Sequence, residues 1–374
     1  MSPSLAPGDL LNRVERDVQR ALQRSRNGLR YAAGTQRPKV GRTPKDVVWR
    51  RHKSELWRYR SDARRYRPPL VIVHSLVSRS YVLDLYPGNS AVEHFLREGL
   101  DVFLLDWGVP DETDAGNTLE YYVDDGIPEA VAAACETAGT DDVNLLGYCF
   151  GGVLSLLSAA RHPEMPIRNL AAMATPVDFS QMETITALVR DGRLDPEDVI
   201  EPTGNVAPDV IENGFKLLKP TAEVTQYATL WENLWNDEFM EGYQAMGQWA
   251  RDHIPFPGAA FEQTVEGLVR ANGLVNGTFE LGGERVDLKA ITRPVLNIMA
   301  ERDHIVPLAA AEPLVGLVGS KEKEELRLAA GHAGLVAGRK AAKVTLPGIA
   351  GWFKAHSSAI PSHADVRMCS DADS

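Results

Sequence analysis

Cysteine is scarce in this sequence of 374 residues, which contains only Cys135, Cys149 and Cys369. An odd set of three does not make a disulfide framework and is typical of a protein kept in a reducing cytoplasm. Long apolar stretches are also missing, since none approaches the roughly 18 residues of a membrane-spanning helix. The polar N-terminus is not followed by the apolar segment of a secretory signal. We therefore expect a cytoplasmic protein without a transmembrane segment.

Sequence patterns for cofactors and metals are missing too. The sequence has no Walker loop and no GxGxxG glycine motif, so no nucleotide-fold cofactor is expected. It has no HxxxH or CxxC pair and no cluster of carboxylates beside a histidine, so no metal site is expected. We therefore expect the chemistry to come from ordinary side chains.

Charge is unevenly distributed along the sequence, since the N-terminal part is basic and the remainder is acidic. Residues 1–68 contain 18 Lys and Arg against 6 Asp and Glu, a net charge of +12, so with a total of -11 the remainder carries -23. This basic arm either packs against the acidic body or attaches to an anionic partner or particle surface. No nucleic-acid-binding motif accompanies the charge, so we do not expect nucleic acid as a partner.

The candidate chemistry centres on residues 143–156, VNLLGYCFGGVLSL. An apolar strand leads into a G-x-C-x-G turn, and an apolar helix follows it. This pattern is the nucleophile elbow of α/β-hydrolases, with Cys149 where serine usually stands. A turn this sharp forces strained backbone and close approach, which glycine on both sides permits. The alternative is a buried cysteine in a glycine-rich turn.

Alternating strands and helices surround the elbow. Short apolar runs typical of buried parallel strands occur at residues 69–74, 101–106, 143–146, 170–174 and 294–299. The alternation stops between residues 181 and 275, where helical patterns rich in Trp and Met indicate a cap over the active site or, alternatively, additional core helices. The predicted fold class is α/β, an α/β-hydrolase fold with a mostly helical cap inserted between core strands.

The predicted organisation has five segments. They are a basic N-terminal arm and linker (1–45), a first part of the α/β-hydrolase core (46–180), the cap (181–280), a second part of the core (281–357) and a disordered tail (358–374). Within the arm, residues 10–29 have apolar side chains at helical spacing and arginines opposite, which predicts an amphipathic docking or packing helix. Residues 47–66 are predicted as a strand pair leading into the sheet.

Two further residues complete a candidate catalytic set. Asp303 directly follows the apolar run 294–299, and His332 lies in a loop of small residues after a predicted strand at 325–329. The order Cys149, Asp303, His332 is the triad order of α/β-hydrolases. We expect His332 to take the proton of the thiol, and Asp303 to orient His332 or to act as a base itself.

The loop after the first apolar strand supplies the remaining group. We expect the N–H of Phe150, together with the N–H of Leu76 or Val77, to hold the oxyanion of the attacked carbonyl. His74 lies in the same loop and lines the pocket. A cysteine nucleophile favours acyl transfer from a thioester donor, because an enzyme thioester exchanges readily with another one. The cap would exclude water as a competitor.

With these residues in place, the chain resembles the polyhydroxyalkanoate synthases, specifically the catalytic subunit of the two-subunit class III type. The resemblance spans residues 39–353 and rests on VGRTPKDVV (40–48), HSLVSRSYVLDL (74–85), DVFLLDWG (101–108), GYCFGG (147–152), GLVNG (273–277), VDLKAITRPVLNIMAERDHIVP (286–307) and GHAGLVAGRKA (331–341). WARDHIPFPG (249–258) resembles the W-x-x-D-x-x-P-x-P pattern of the family. Phe150 departs from it, since many members have glutamine or another polar residue there.

The resemblance implies polymerisation of short-chain (R)-3-hydroxyacyl-coenzyme A to a polyester, with release of coenzyme A through a thioester on Cys149. His332 would be the base and Asp303 would assist the incoming 3-hydroxyl group. The coenzyme A thioester is a substrate, so no cofactor is implied. The implied partners are a second, non-catalytic subunit, a further copy in a homodimer or hetero-oligomer, and the surface of cytoplasmic polyester granules.

Two other functions stay open at this point. The first is hydrolysis by a thioesterase or an intracellular polyhydroxyalkanoate depolymerase of the same α/β-hydrolase fold. The second is a non-enzymatic scaffold or granule-associated protein with a vestigial elbow.

Overall fold

Eight strands form one sheet at the centre of the computed structural model, which describes residues 7–34, 38–190, 195–218 and 222–360. In chain order the strands are β1 (Lys45–Arg51), β2 (Ser54–Tyr59), β3 (Leu70–Val73), β4 (Val102–Asp106), β5 (Val143–Tyr148), β6 (Ile167–Met173), β7 (Val295–Ala300) and β8 (Lys323–Leu328). Across the sheet they lie in the order β1-β2-β4-β3-β5-β6-β7-β8.

Strands β3 to β8 are mutually parallel, and β2 pairs antiparallel with both β1 and β4. The predicted strand pair at the start of the core is therefore confirmed, with shorter strands than the predicted range. The parallel strands direct their carboxyl ends to one edge, where ligands of such sheets bind. At the two outer strands, charged residues of β1 and β8 face solvent (Asp46, Arg50, Lys323, Glu324, Glu325 and Arg327).

Both faces of the sheet are covered, which explains the apolar strand runs. Successive residues of β3 alternate between two clusters of buried side chains: Val71 and Val73 belong to one, Leu70 and Ile72 to the other. The first cluster lies under α3 (Ile127–Ala138) and α4 (Phe150–Arg161), and the second lies under α2 (Ala91–Arg97) and α14 (Leu346–Ala355).

The other helices precede the sheet, follow β7 or lie in a long insertion between β6 and β7. They are α1 (Pro7–Ala32); α5 (Glu183–Arg190), α6 (Pro196–Val199), α7 (Pro208–Leu218), α8 (Ala222–Asn233), α9 (Asp237–Trp249), α10 (Gly258–Gln263) and α11 (Gly273–Asn276) of the insertion; and α12 (Leu308–Ala311) and α13 (Leu314–Leu317). Short π-helical segments occur at Tyr121–Gly126, Thr264–Arg270 and Ala341–Thr345.

The insertion is held in two ways. In and between α8 and α9, the buried residues Leu230, Leu234 and Met240 form a small cluster of their own. Before and after these two helices, Val206, Val265 and Leu268 belong to the large cluster under α3 and α4. The predicted cap and its alternative, additional core helices, therefore describe different parts of the same insertion.

α1 lies on α8 and α9 with its polar face. Asn27 is buried and donates hydrogen bonds from Nδ2 to the Leu234 carbonyl at 2.9 Å and to the Asp237 carboxylate at 2.8 Å. Gln23 donates to the same carboxylate at 2.6 Å. These hydrogen bonds, first among them that of Asn27, hold the pKa of Asp237 below its usual value. The predicted helix is present, and it is anchored by a buried amide and a carboxylate.

On the opposite side of α1, no residue in the described part of the chain covers the apolar side chains. Val18, Leu22 and Leu29 are 53%, 67% and 74% exposed, and their spacing places them along one side of the helix. We call these three residues the apolar stripe of α1. An amphipathic helix usually packs by its apolar side, so the docking side of α1 is the reverse of the ordinary one.

Part of the segment predicted as a disordered tail is structured. Ser358–Ala359 pairs antiparallel with Tyr66–Arg67, and residues 358–360 belong to the described part of the chain. The rest of the tail, residues 361–374, lies outside the described residues, as do residues 1–6 and 35–37 of the arm. Among the described helices, none is both long enough and apolar enough to span a membrane.

Candidate active site

Cys149 lies between the end of β5 and the first residue of α4, with φ of +56° and ψ of -126°. This backbone conformation is rare for a residue with a Cβ atom and is the strained turn of a nucleophile elbow. The chain reverses here within one residue, so the sulfur lies at the carboxyl edge of the sheet. The expected geometry of the G-x-C-x-G motif is therefore present.

The neighbouring glycines are required because backbone and side chains approach them closely. A Cβ on Gly151 would overlap the carbonyl of Val73 in β3, and one on Gly152 would overlap the Thr175 hydroxyl. A Cβ on Gly147 would overlap the backbone of Gly152. The three contacts pack the elbow against two neighbouring strand ends, which fixes the position of the nucleophile.

Asp303 and His332 are brought together by the ends of β7 and β8. His332 donates a hydrogen bond from Nδ1 to Asp303 Oδ2 at 2.8 Å, and the Asp303 side chain has no exposed surface. Asp303 Oδ1 accepts the N–H groups of Ile305 and Val306, both at 2.9 Å. Both carboxylate oxygens are thus occupied, and the carboxylate orients the imidazole ring.

His332 also interacts with the sulfur of Cys149. Burial lowers the pKa of His332, but the Asp303 carboxylate, the Cys149 thiolate and hydrogen bonds from both outweigh it and raise that pKa to about 10. The imidazole is therefore protonated at neutral pH when the sulfur is a thiolate. His332 is therefore placed to hold a proton beside the Cys149 sulfur.

A second buried histidine lies close to this pair. The ring of Tyr148 is 6.1 Å from that of His74 and 5.2 Å from that of His332. Burial lowers the pKa of His74 to about 4, so this ring is neutral. Its Nε2 donates to the Ser78 carbonyl at 3.1 Å. His74 therefore closes the loop between residues 74 and 78, which we call the oxyanion loop.

The oxyanion loop presents the two backbone amides that the sequence left as alternatives. The N–H of Val77 points to the hydroxyl of Ser75 at 3.4 Å. Among the described residues, the N–H of Leu76 and that of Phe150 have no hydrogen-bond partner. Leu76 is therefore the better oxyanion donor of the two.

Other reactive or metal-binding groups do not compete with this site in the described part of the chain. Burial raises the pKa of Cys135 in α3 to about 11, which disfavours its thiolate. Cys369 lies outside the described residues. No group of three or more His, Cys, Asp or Glu side chains among the described residues is arranged to hold a metal ion.

Comparisons with known proteins identify the family. Residues 68–203 match the family model of the α/β hydrolase fold. The poly(3-hydroxyalkanoate) polymerase subunit PhaC of Allochromatium vinosum is 37% identical over 319 residues, which cover 84% of this chain and 89% of that protein. The chain belongs to this polymerase family. The subunit PhaC of Thiocystis violacea is 35% identical, with 85% of this chain and 90% of that protein covered.

Longer polymerases are similar as well. The subunit PhaC of Haloferax mediterranei is 36% identical over 85% of this chain, but the chain spans only 65% of the length of that relative. The Allochromatium and Thiocystis proteins are matched over nearly their whole length, which supports the class III type. The predicted polymerase family, the α/β-hydrolase fold and the assignment as an acyltransferase are confirmed. The segment boundaries and the roles of the site residues stay predictions.

Segment 249–258 carries the W-x-x-D-x-x-P-x-P pattern of the family, but the sequence alone does not indicate what the segment does. In the structure, Trp249 and His253 from this segment contact carbonyl groups in and beside the oxyanion loop.

Proposed function

We propose that this chain is a cytoplasmic poly(3-hydroxyalkanoate) synthase that polymerises short-chain (R)-3-hydroxyacyl-coenzyme A and releases coenzyme A. The proposal is carried by one observation: Cys149 lies at a nucleophile elbow beside the His332–Asp303 pair, in a chain of the polymerase family. The steps below use only side chains and backbone of this chain. The coenzyme A thioester is the substrate, and no cofactor takes part.

The first step is acylation of Cys149. The thiolate attacks the thioester carbon, and a carbon–sulfur bond to Cys149 forms while the bond to coenzyme A breaks. The N–H groups of Phe150 and Leu76 hold the oxyanion of the tetrahedral intermediate, because both are without another partner. His332 then gives its proton to the departing thiolate of coenzyme A.

The second step is ester formation. Once Cys149 is acylated its sulfur is neutral, so one of the charges that raise the pKa of His332 is gone and that pKa falls. His332 can now take the proton of the 3-hydroxyl group of an incoming (R)-3-hydroxyacyl-coenzyme A as that oxygen attacks the Cys149 thioester. The ester bond forms, the bond to the Cys149 sulfur breaks and the charged pair is restored. The lengthened chain is then a coenzyme A thioester, which returns to Cys149 by the first step with release of coenzyme A. One histidine thus acts as acid first and as base second.

Asp303 acts through His332 in this scheme. The family resemblance implied that it assists the 3-hydroxyl group, but its buried carboxylate already accepts three hydrogen bonds. The carboxylate therefore holds the ring orientation and favours the imidazolium form. Deprotonation of the hydroxyl falls to His332.

The apolar stripe of α1 is the proposed attachment surface for the polyester granule. Val18, Leu22 and Leu29 are exposed on a basic helix whose polar side is already occupied by the cap. The related PhaC proteins are named as subunits, and a second, non-catalytic subunit is the proposed partner of this chain as well. A homodimer or hetero-oligomer at the granule is the proposed working form.

The purified chain with (R)-3-hydroxybutyryl-coenzyme A tests the function. We expect release of free coenzyme A together with insoluble polyester, and loss of both in Cys149→Ala. Release without polymer would instead favour a thioesterase, and depolymerisation of added polyester would favour a depolymerase. If the chain alone is silent, activity on addition of a second subunit retains the proposal, and continued silence rejects it.

A further inference from the structure

Side chains of the cap donate hydrogen bonds to backbone carbonyls of the oxyanion loop and of Arg79, which directly follows the loop. Trp249 donates a hydrogen bond from Nε1 to the carbonyl of Arg79 at 2.9 Å. His253 donates from Nδ1 to the carbonyl of Val77 at 3.1 Å, and its backbone forms an isolated antiparallel bridge with Ser78. The cap therefore fixes two peptide groups just after the proposed donor amide of Leu76.

The core holds the other side of the same loop. Trp107 donates from Nε1 to the carbonyl of His74 at 2.9 Å, and the His74 ring closes on Ser78. Because a peptide group is planar, the held carbonyls of His74 and Val77 fix the peptide groups 74–75 and 77–78, which lie on either side of the peptide group that carries the Leu76 N–H. The Leu76 amide thus lies between a part of the loop held by the core and a part held by the cap.

Asp252, which lies between Trp249 and His253 in the sequence, makes further polar contacts to this part of the core. Asp252 accepts a hydrogen bond from the Tyr81 hydroxyl at 2.9 Å, and its carboxylate lies 3.7 Å from the Arg79 guanidinium. His253 is itself held within the cap, since its ring stacks on Phe215 of α7 with centroids 5.2 Å apart. Stacking on Phe215 therefore holds the His253 ring in place within the cap.

The same segment reaches the second proposed oxyanion donor. Phe256, three residues after His253, is buried and packs edge-on against the ring of Phe150 at 5.8 Å. Eight consecutive residues of the cap, from Trp249 to Phe256, thus touch both loops that present an oxyanion N–H.

We propose that residues 249–256 position the oxyanion hole, so that seating of the cap on the core and assembly of the two donor amides are one event. Trp249 and His253 are positioning residues, because they act on the reaction through the backbone of residues 76–79. The inference rests on the proposed function only in that acyl transfer takes place at Cys149. It holds for any acyl donor whose carbonyl becomes an oxyanion.

The test uses the full chain with Trp249→Phe and His253→Phe combined, which removes both N–H donors and keeps both rings. The control is Trp231→Phe, the same replacement at a cap tryptophan that is 66% exposed. Release of coenzyme A from (R)-3-hydroxybutyryl-coenzyme A and of p-nitrophenol from p-nitrophenyl butyrate report acyl transfer. Alkylation of Cys149 by iodoacetamide reports the thiolate without an oxyanion.

We expect kcat of the double variant to fall roughly tenfold to hundredfold on both substrates, less than when a donor itself is removed, with KM within about twofold. Alkylation and the Trp231→Phe control should match the wild type. An unchanged kcat would overturn the proposal, and so would a parallel loss of kcat and alkylation, because that means general damage to the site. If the wild type turns over substrate without forming polymer, the proposed polymerase function is rejected. The comparison of the variants still tests the role of residues 249–256.

Discussion

At Cys149 the position of the nucleophile and the strain of the backbone have one origin. A φ of +56° with ψ of -126° is a conformation that glycine adopts far more readily than any residue with a Cβ atom. Such strain costs on the order of 1–3 kcal/mol and persists only where the surrounding fold enforces it. Here the packed glycines of the elbow enforce it.

This strain predicts an unusual order of stability among variants. We expect Cys149→Gly to be more stable than Cys149→Ala by about 1 kcal/mol, because alanine keeps the strain and glycine relieves it. At Cys135 in the helix α3 the same pair should rank the other way, with glycine about 1 kcal/mol less stable. Urea unfolding of the four variants measures both differences. The same ranking at both cysteines would contradict the interpretation.

Asp303→Asn should reduce activity by about 10²–10⁴-fold, because the ring of His332 loses its orienting carboxylate. The neighbouring, exposed His304 serves as control, and His304→Gln should retain activity. Coenzyme A release measures both variants. Full activity in Asp303→Asn would rule out the orienting role.

The same variant has a predictable pH dependence. Although burial opposes protonation, Asp303 and Cys149 raise the pKa of His332 to about 10, above the ~6.5 of an unfolded histidine. The protonated ring therefore stabilises the fold fully below about pH 6.5, and this stabilisation is lost as the pH rises through about 10. We expect the stability difference between wild type and Asp303→Asn to be larger at pH 6 than at pH 10. Urea unfolding at pH 6 and pH 10 measures this difference. The same difference at both pH values would contradict the prediction.

Among the elements, the elbow is the one whose packing leaves least room for change. β5, the turn and α4 meet β3 and Thr175 at atomic contact through Gly151 and Gly152. The missing Cβ of Gly151 admits the backbone of β3, and that of Gly152 admits the side chain of Thr175. The elbow therefore depends on the small size of the residues at its glycine positions as much as on the hydrophobicity of the strand and helix.

Gly152→Ala should destabilise the fold by about 1–3 kcal/mol or more, because its Cβ would overlap the Thr175 side chain. Gly351→Ala in α14 is the matched control, since a Cβ there meets no atom within 4 Å. That control should be neutral or stabilised by up to about 1 kcal/mol through helix propensity. Thermal unfolding distinguishes them, and equal behaviour would refute the packing account.

The elbow and the alternation of strands and helices could be predicted because their signals are local. Gly147, Cys149 and Gly151 stand within five residues, and the inner parallel strands are apolar runs. The hydrogen bond from Trp249 to the Arg79 carbonyl, just beyond the oxyanion loop, joins residues 170 positions apart, and no periodicity encodes such a contact. The choice between Leu76 and Val77 depends on one hydroxyl, that of Ser75. Such details follow from tertiary geometry alone.

Over the whole molecule, helix α1 of the arm shows that an amphipathic pattern can predict a helix without predicting which of its sides packs. Helical spacing of apolar residues correctly predicted α1, but the buried side is decided by Asn27 and Asp237. A buried amide that hydrogen-bonds to a carbonyl and to a carboxylate at the surface can outweigh the apolar side in fixing orientation. The apolar stripe is then left available for another surface, as proposed above for the granule.

Leu22→Glu combined with Leu29→Glu should abolish binding of the chain to polyester granules, because two charges would have to be desolvated at the contact. Cosedimentation with purified granules measures it. Leu217→Glu is the matched control, an exposed leucine (57%) on α7 of the cap, and should bind like the wild type. Soluble turnover should stay unchanged in all variants. Undiminished sedimentation of the double variant would exclude the stripe as the attachment surface.

The charges on the outer strands would matter where many copies gather on one granule, as proposed above. Among the described residues, β1 and β8 each pair with one strand only, and both expose charged residues, among them Asp46, Lys323 and Glu325. Free strand edges invite pairing between molecules, and charged residues along them oppose it. On the proposed granule surface, many copies could therefore lie side by side without joining their sheets into aggregates.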